Sequence, residues 1–172
     1  MKIEILAPAG GRESVEAAVR CGADAVYLGT KVLNARRNAA NFDGQSLEDT
    51  VKYCHERDVR VHLTVNTLIY DSEISQAVSV IQEACRVGVD AVIVQDMGIA
   101  SLCRKICPEL PMHASTQMAV HNLEGALKAQ ELGFSRVVLA REMTKEEIRR
   151  VTENCSVETE IFVHGALCMC VS

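Results

Sequence analysis

His164, Gly165 and Cys168 follow an apolar run, Val157–Val163, that reads as a β-strand. A strand that ends on an imidazole, a glycine and a thiol carries reactive groups into a loop at the mouth of a fold. Two chemistries are open to this group. The Cys-x-Cys of Cys168 and Cys170 can begin an iron–sulfur site, which takes thiolate ligands and usually four of them. Alternatively, Cys168 is a nucleophile with His164 as its base. Two cysteines do not complete a cluster, and no orienting group or oxyanion hole is evident for a nucleophile, so both readings stay open.

Strand side chains alternate between two faces, which extends the set of candidates. In the last run, Val157, Ile161 and Val163 are expected to pack outward, leaving Glu158, Glu160, Phe162 and His164 facing inward. In Arg60–Asn66, Val61, Leu63 and Val65 pack outward and His62, Thr64 and Asn66 face inward. In the first strand Ile3, Ile5 and Ala7 go outward, with Glu4 and Leu6 inside. Glu4, His62, Asn66, Glu160 and His164 thus converge on one axis. Buried ionisable groups need partners, so Glu4–His62 and Glu160–His164 pairs in a satisfied polar network are the plain alternative to a catalytic role.

Further polar residues follow the strands. Ser115, Thr116 and Gln117 follow one strand, and Arg141 and Glu142 follow the next. Arg141 suits a carboxylate or phosphate through its fork of donors. Asp96 is expected to cap the helix after it. The longest loop, Gly29 to Gln45, carries Arg36 and Arg37 and is a candidate binding loop. Ala7–Gly11 is a small-residue turn without the lysine of a phosphate-binding loop. Cys103 and Cys107, four apart on a helix, are read as core, as are Cys21, Cys54, Cys85 and Cys155 near helix ends.

The elements that must position these residues alternate strictly. Expected strands are Lys2–Ala7, Asp24–Leu28, Arg60–Asn66, Asp90–Val94, Met112–Ala114, Arg136–Leu139 and Val157–Val163. Expected helices are Arg12–Cys21, Leu47–Arg57 (capped by Ser46), Ser72–Val87, Gly98–Ile106, Asn122–Leu132 and Thr144–Asn154. Gly22, Gly88 and Gly133 each close a helix two or three residues before a strand. Strict alternation implies an α/β fold with a parallel sheet, either doubly wound or a (β/α)8 TIM-like barrel. Polar residues at the strands' C-terminal ends favour the barrel. Seven strands and six helices leave it incomplete, so residues 1–172 read as a single barrel domain lacking its eighth strand. The open sheet edge is expected to pair with another copy, as a homodimer or by strand exchange.

Composition sets bounds. Hydrophobic residues make up 48% and charged residues 24%, enough for a substantial core in 172 residues. A formal charge of −5 argues against a strong polyanion binder built from this segment alone. No run approaches the roughly 20 apolar residues of a membrane span, and no export signal opens the chain, so it reads as cytoplasmic. The eight cysteines are then expected to be reduced thiols.

Six segments carry a resemblance: Leu6-Ala-Pro-Ala-Gly10, Gly22-Ala-Asp-Ala-Val-Tyr-Leu-Gly29, Asn34-Ala-Arg-Arg-Asn-Ala-Ala-Asn-Phe42, His113-Ala-Ser-Thr-Gln117, Val138-Leu-Ala-Arg-Glu142 and Phe162-Val-His-Gly-Ala-Leu-Cys168. In this order they resemble the amino-terminal part of the collagenase-like peptidase family of unknown catalytic type. The resemblance implies a barrel-like fold and one of two activities. One is proteolysis. The other is oxygen-independent or prephenate-dependent hydroxylation of tRNA, rRNA or a quinone precursor, using a 4Fe-4S cluster. Cys168 matches the family's first cluster cysteine, whereas Cys170 falls where the family varies. The other cluster cysteines would follow Ser172, so this chain alone is expected to hold no stable cluster and to be inactive.

The leading expectation is the barrel of an RNA-base hydroxylase. Cys168 would be a ligand, and His62, Glu160 and His164 would serve catalysis. Arg36, Arg37 and Arg141 would bind an anionic co-substrate such as prephenate or an RNA phosphate, with Asn66, Ser115, Gln117 and Glu142 completing the substrate rim. A cysteine peptidase using Cys168 and His164 is one alternative, and a non-enzymatic RNA- or partner-docking scaffold is the other.

Overall fold

Strand and helix alternate throughout the computed structural model, which describes residues 3–35 and 40–165. The strands are β1 (Leu6–Pro8), β2 (Ala25–Gly29), β3 (Arg60–Val65), β4 (Ala91–Val94), β5 (Met112–Ala114), β6 (Arg136–Val138) and β7 (Glu158–Glu160). The helices are α1 (Arg12–Arg20), α2 (Gly44–His55), α3 (Ile74–Val87), α4 (Met97–Ile106), α5 (Leu123–Glu131) and α6 (Lys145–Asn154). Short 3-10 turns at Asp71–Glu73 and Thr116–Met118 follow β3 and β5. Each strand pairs in parallel with the next in chain order, and no strand is skipped. This is the incomplete (β/α)8 TIM-like barrel that the alternation implies, and the doubly wound sheet falls away.

Local chemistry sets the helix ends. Asp96 accepts from the Ile99 N–H at 3.0 Å and caps α4, as expected. Asn122 caps α5 through the Gly125 N–H at 2.8 Å. Helix α2 starts earlier than expected: Asp43 is its cap, and the Ser46 hydroxyl accepts from the Asp43 N–H at 2.9 Å as the third residue of a capping box. Gly22, Gly88 and Gly133 have φ of +85°, +78° and +84°, the left-handed release expected after a helix.

The two faces of the sheet separate two kinds of residue. Val26, Val61, Leu63, Val65, Val92, Val94, Met112 and Val137 belong to one apolar core with helix residues such as Val15, Val51, Ile81 and Ile99. His62, Thr64, His113 and Arg136 are also buried but stand outside that core, on the concave face. The inward and outward assignments for β3 therefore hold.

Three expectations are corrected. Ile3, Ile5, Ile161 and Val163 are exposed instead of packed, because they flank the two edge strands, where no described helix covers them. The edge strands are also shorter than expected, since among the described residues each has a partner on one side only. Cys85, in the last turn of α3, and Cys107, at the C-terminus of α4, are joined as a disulfide, against the expectation of wholly reduced thiols. Helices α3 and α4 pack side by side, which brings these two cysteines within reach.

Candidate functional site

Parallel strands put all their C-terminal ends on one face, so loops distant in sequence meet there. Asn66 leaves β3 on that face. Its Oδ1 accepts from the Ala35 N–H at 3.1 Å, tying down the loop that leads to Arg36 and Arg37, two residues outside the described set. Gly29, at the end of β2, is required by close approach: a Cβ there would stand 2.6 Å from Asn34 Cγ. Asn34 is buried and bonds back to the Thr30 carbonyl. Thr64 donates to the Leu28 carbonyl at 3.1 Å, joining β3 to β2 just below the rim.

The loop after β5 contributes Ser115, Thr116 and Gln117. Buried Ser115 accepts from the Gln117 N–H at 3.2 Å and so shapes the 3-10 turn. Gln95, beyond β4, donates to the Gln117 carbonyl at 3.4 Å. The Thr116 hydroxyl is buried without a hydrogen-bond partner among the described residues. Beyond β6, the Arg141 guanidinium stacks 3.9 Å from the ring centroid of Phe162, which follows β7. Gly165 lies against this pair, with its Cβ position 3.6 Å from Phe162 Cδ1 and 3.8 Å from Arg141 Nη2. Exposed His164 is therefore carried past Arg141. Glu142 is exposed beside it on the same rim.

The concave interior below is ionic. Arg136, on β6, donates from Nη1 to Glu4 at 2.6 Å, from Nη2 to Glu158 at 2.6 Å and from Nη1 to Glu160 at 3.4 Å. Arg60 also pairs with Glu4. Glu4 and Glu160 thus take guanidinium partners in place of the expected His62 and His164. Glu4 precedes β1 and Arg136 lies on β6, so this pair spans the open side of the curled sheet. Burial pushes the Glu160 carboxyl above its usual range, and Arg136 opposes that shift.

His62 and His113 face each other edge-on at 4.8 Å, and the Nδ1 of each lacks a hydrogen-bond partner among the described residues. Burial, then the nearby arginines, lowers His62 to about 4. Burial and His62 lower His113 to about 2. Both rings are neutral at pH 7. They line a cavity of about 230 Å³ with Arg60, Asp90, Ser135 and Arg136, towards the N-terminal ends of the strands. His62 therefore stands at the opposite end of the interior from His164.

The structure gathers Asn66, Ser115, Gln117, Arg141, Glu142 and His164 at the rim, with Glu160 and His62 inside. Cys168, Arg36 and Arg37 lie outside the described residues. Sequence reasoning missed Arg136 as the hub, His113 as the partner of His62, and Phe162 as the platform for Arg141. The signal for the first two was present: each is a polar residue at an inward strand position.

The residues described offer no cradle for an iron–sulfur cluster. No group of three or more His, Cys, Asp or Glu among them could hold a metal ion. Their free cysteines, Cys21, Cys54, Cys103 and Cys155, lie in or after the last turns of α1, α2, α4 and α6, away from the rim. No described helix is long and apolar enough to cross a membrane.

The chain is 37% identical over 171 residues to the 23S rRNA 5-hydroxycytidine synthase of Escherichia coli, covering 99% of this chain and 26% of that protein. It is 39% identical over 181 residues to a collagenase of Porphyromonas gingivalis, covering 98% and 43%. It is 34% identical over 171 residues to tRNA hydroxylation protein P1 of Bacillus subtilis, covering 99% and 40%. The chain thus spans less than half the length of these relatives. A solved U32 peptidase superimposes with a TM-score of 0.74 at 18% identity, over 93% of this chain and 68% of that one, which shows the shared fold. The model of peptidase family U32 matches residues 10–172, and the chain belongs to that family.

Proposed function

We propose that this chain is the barrel part of an enzyme that hydroxylates a base of tRNA or rRNA. The observation that carries the reading is the Arg141–Phe162–Gly165 cluster at the rim, with Asn66, Ser115 and Gln117 on the neighbouring strand ends. A guanidinium placed over an aromatic ring suits a carboxylate or phosphate, as an anionic co-substrate such as prephenate or an RNA backbone requires. Arg36 and Arg37 would add to this from the loop that Asn66 anchors. Glu160 is the proposed proton carrier, because its burial favours the protonated form. Support for the RNA class comes from relatives named for rRNA and tRNA hydroxylation. With an RNA substrate, the cytoplasm is the proposed place of the work.

Cys168 is the proposed ligand of a 4Fe-4S cluster whose other ligands are not among the described residues. The collagenase relative keeps a second reading in view, with Cys168 as nucleophile and His164 as base. One experiment separates the two. In the full-length protein, purified without oxygen, Cys168→Ala is expected to lose bound iron and RNA hydroxylation together while keeping its helical circular dichroism. Peptide cleavage by iron-free wild type that thiol alkylation abolishes would establish the peptidase instead.

A further inference from the structure

The described cysteines divide by what their sulfurs can do. Cys54 and Cys103 are buried, and burial pushes both thiols up to about 11, so neither supplies a thiolate near pH 7. Cys85 and Cys107 differ. Both are half-buried, and they are bonded to each other across 22 residues. Each stands at the C-terminal end of its helix, on the face of the barrel opposite the rim, with exposed Gly88 and Pro108 close behind. The helix pair is held without this bond. The Cys107 N–H donates to the Cys103 carbonyl at 2.8 Å, and the Cys107 and Cys85 carbonyls accept from Leu110 at 3.1 Å and Gly88 at 3.2 Å. Ile81 and Ala84 of α3 share one apolar core with Ile99 and Cys103 of α4. At the rim end, the Ile69 N–H ahead of α3 donates to Asp96, the cap of α4, at 3.3 Å. The two sulfurs therefore stay neighbours when the bond opens, at a high effective concentration for closing it again.

We propose that Cys85 and Cys107 are a thiol–disulfide exchange site, a clamp between α3 and α4 that opens and closes with small monothiols of the glutathione class. From the reading above it takes only the cytoplasm, a reducing compartment where lasting disulfides are rare and transient ones sense redox state. To open the clamp, a glutathione thiolate attacks one sulfur. The protein S–S bond breaks, a mixed disulfide forms, and the other cysteine leaves as a thiolate. A second glutathione thiolate attacks the mixed disulfide, frees the protein cysteine and departs as glutathione disulfide. Both protein sulfurs are then reduced and two glutathiones oxidised, with no other electron donor. Closing runs the same steps in reverse. Cys103, one turn before Cys107, keeps its proton and stays out of the exchange.

The test incubates the folded full-length protein, without oxygen, in glutathione buffers of rising disulfide content. Each sample is quenched with iodoacetamide in denaturant, and its cysteine peptides are mapped by mass spectrometry. At a reduced-to-oxidised ratio of about 1000:1, Cys85 and Cys107 are expected to be mostly alkylated, and at about 1:1 mostly joined, changing together. Cys85→Ser is expected to trap the intermediate, with glutathione bound to Cys107 at the oxidising end. Wild type with the pair joined is expected to melt several degrees above wild type with the pair reduced. A bond that survives the 1000:1 buffer would be a permanent structural link, and a pair still alkylated at 1:1 would mean that the bond does not form. Either result overturns the proposal. Neither touches the RNA reading, because the assay contains no RNA.

Discussion

His62 and His113 show how burial decides what a side chain can do. As neutral rings held at about 4 and about 2, they are poor proton acceptors at pH 7, and their Nδ1 atoms, without a partner among the described residues, make them hydrogen-bonding groups of the interior. The linkage sign follows from the lowered values. Below the unfolded value of 6.5 the unfolded chain takes up protons that the folded chain refuses, so stability falls as pH falls. The loss begins near pH 6.5, and the His62 part levels off near pH 4. Urea titrations across this window are expected to show a decline of about 1.4 kcal/mol per pH unit for each ring. His113→Phe, which keeps an aromatic ring in place, is expected to lessen the slope. A flat profile would mean that the rings are hydrated and not buried. The pair was half legible beforehand: alternation along β3 put His62 inside, and His113 stands at an inward position of β5, but only the curl of the sheet brings the two rings within 4.8 Å.

At the scale of elements, Arg136 joins β6 to β7 and to the chain entering β1. One buried guanidinium serves Glu4, Glu158 and Glu160, and Arg60 helps only at Glu4. Removing it strands carboxylates in a poorly solvated interior, so Arg136→Met is expected to destabilise the fold by about 3–5 kcal/mol in denaturant melts. A change below about 1 kcal/mol, the size of an exposed pair, would mean that the network is solvated. Sequence reasoning recovered the elements well because glycine release, polar caps and apolar runs agree along this chain. It missed where the interior charges pair, since partners such as Glu4 and Arg136 lie 132 residues apart and meet only through the curl of the sheet. The edge strands are shorter than their apolar runs suggest, because Ile3, Ile5, Ile161 and Val163 are apolar enough for strands yet lack a second neighbour among the described residues.

For the whole molecule, the outer edges of β1 and β7, unpaired among the described residues, and these four exposed side chains offer a surface for pairing. We expect this chain to form a homodimer through it, seen as a concentration-dependent mass in light scattering; a strictly monomeric species at all concentrations would count against that. The rim was legible to the extent that strand ends were: Asn66 followed from alternation along β3, and Ser115, Gln117 and Arg141 from their places just after strands. The stacking of Arg141 on Phe162 was not, because it joins the loops of two strands. The proposal that this barrel serves an RNA-base hydroxylase can be tested in cells. Its most direct test is nucleoside mass spectrometry of tRNA and rRNA from cells lacking the gene. The account predicts that one hydroxylated nucleoside disappears, returns with the wild-type gene, and does not return with Arg141→Ala. An unchanged nucleoside profile, with loss of a peptide-cleaving activity instead, would contradict it.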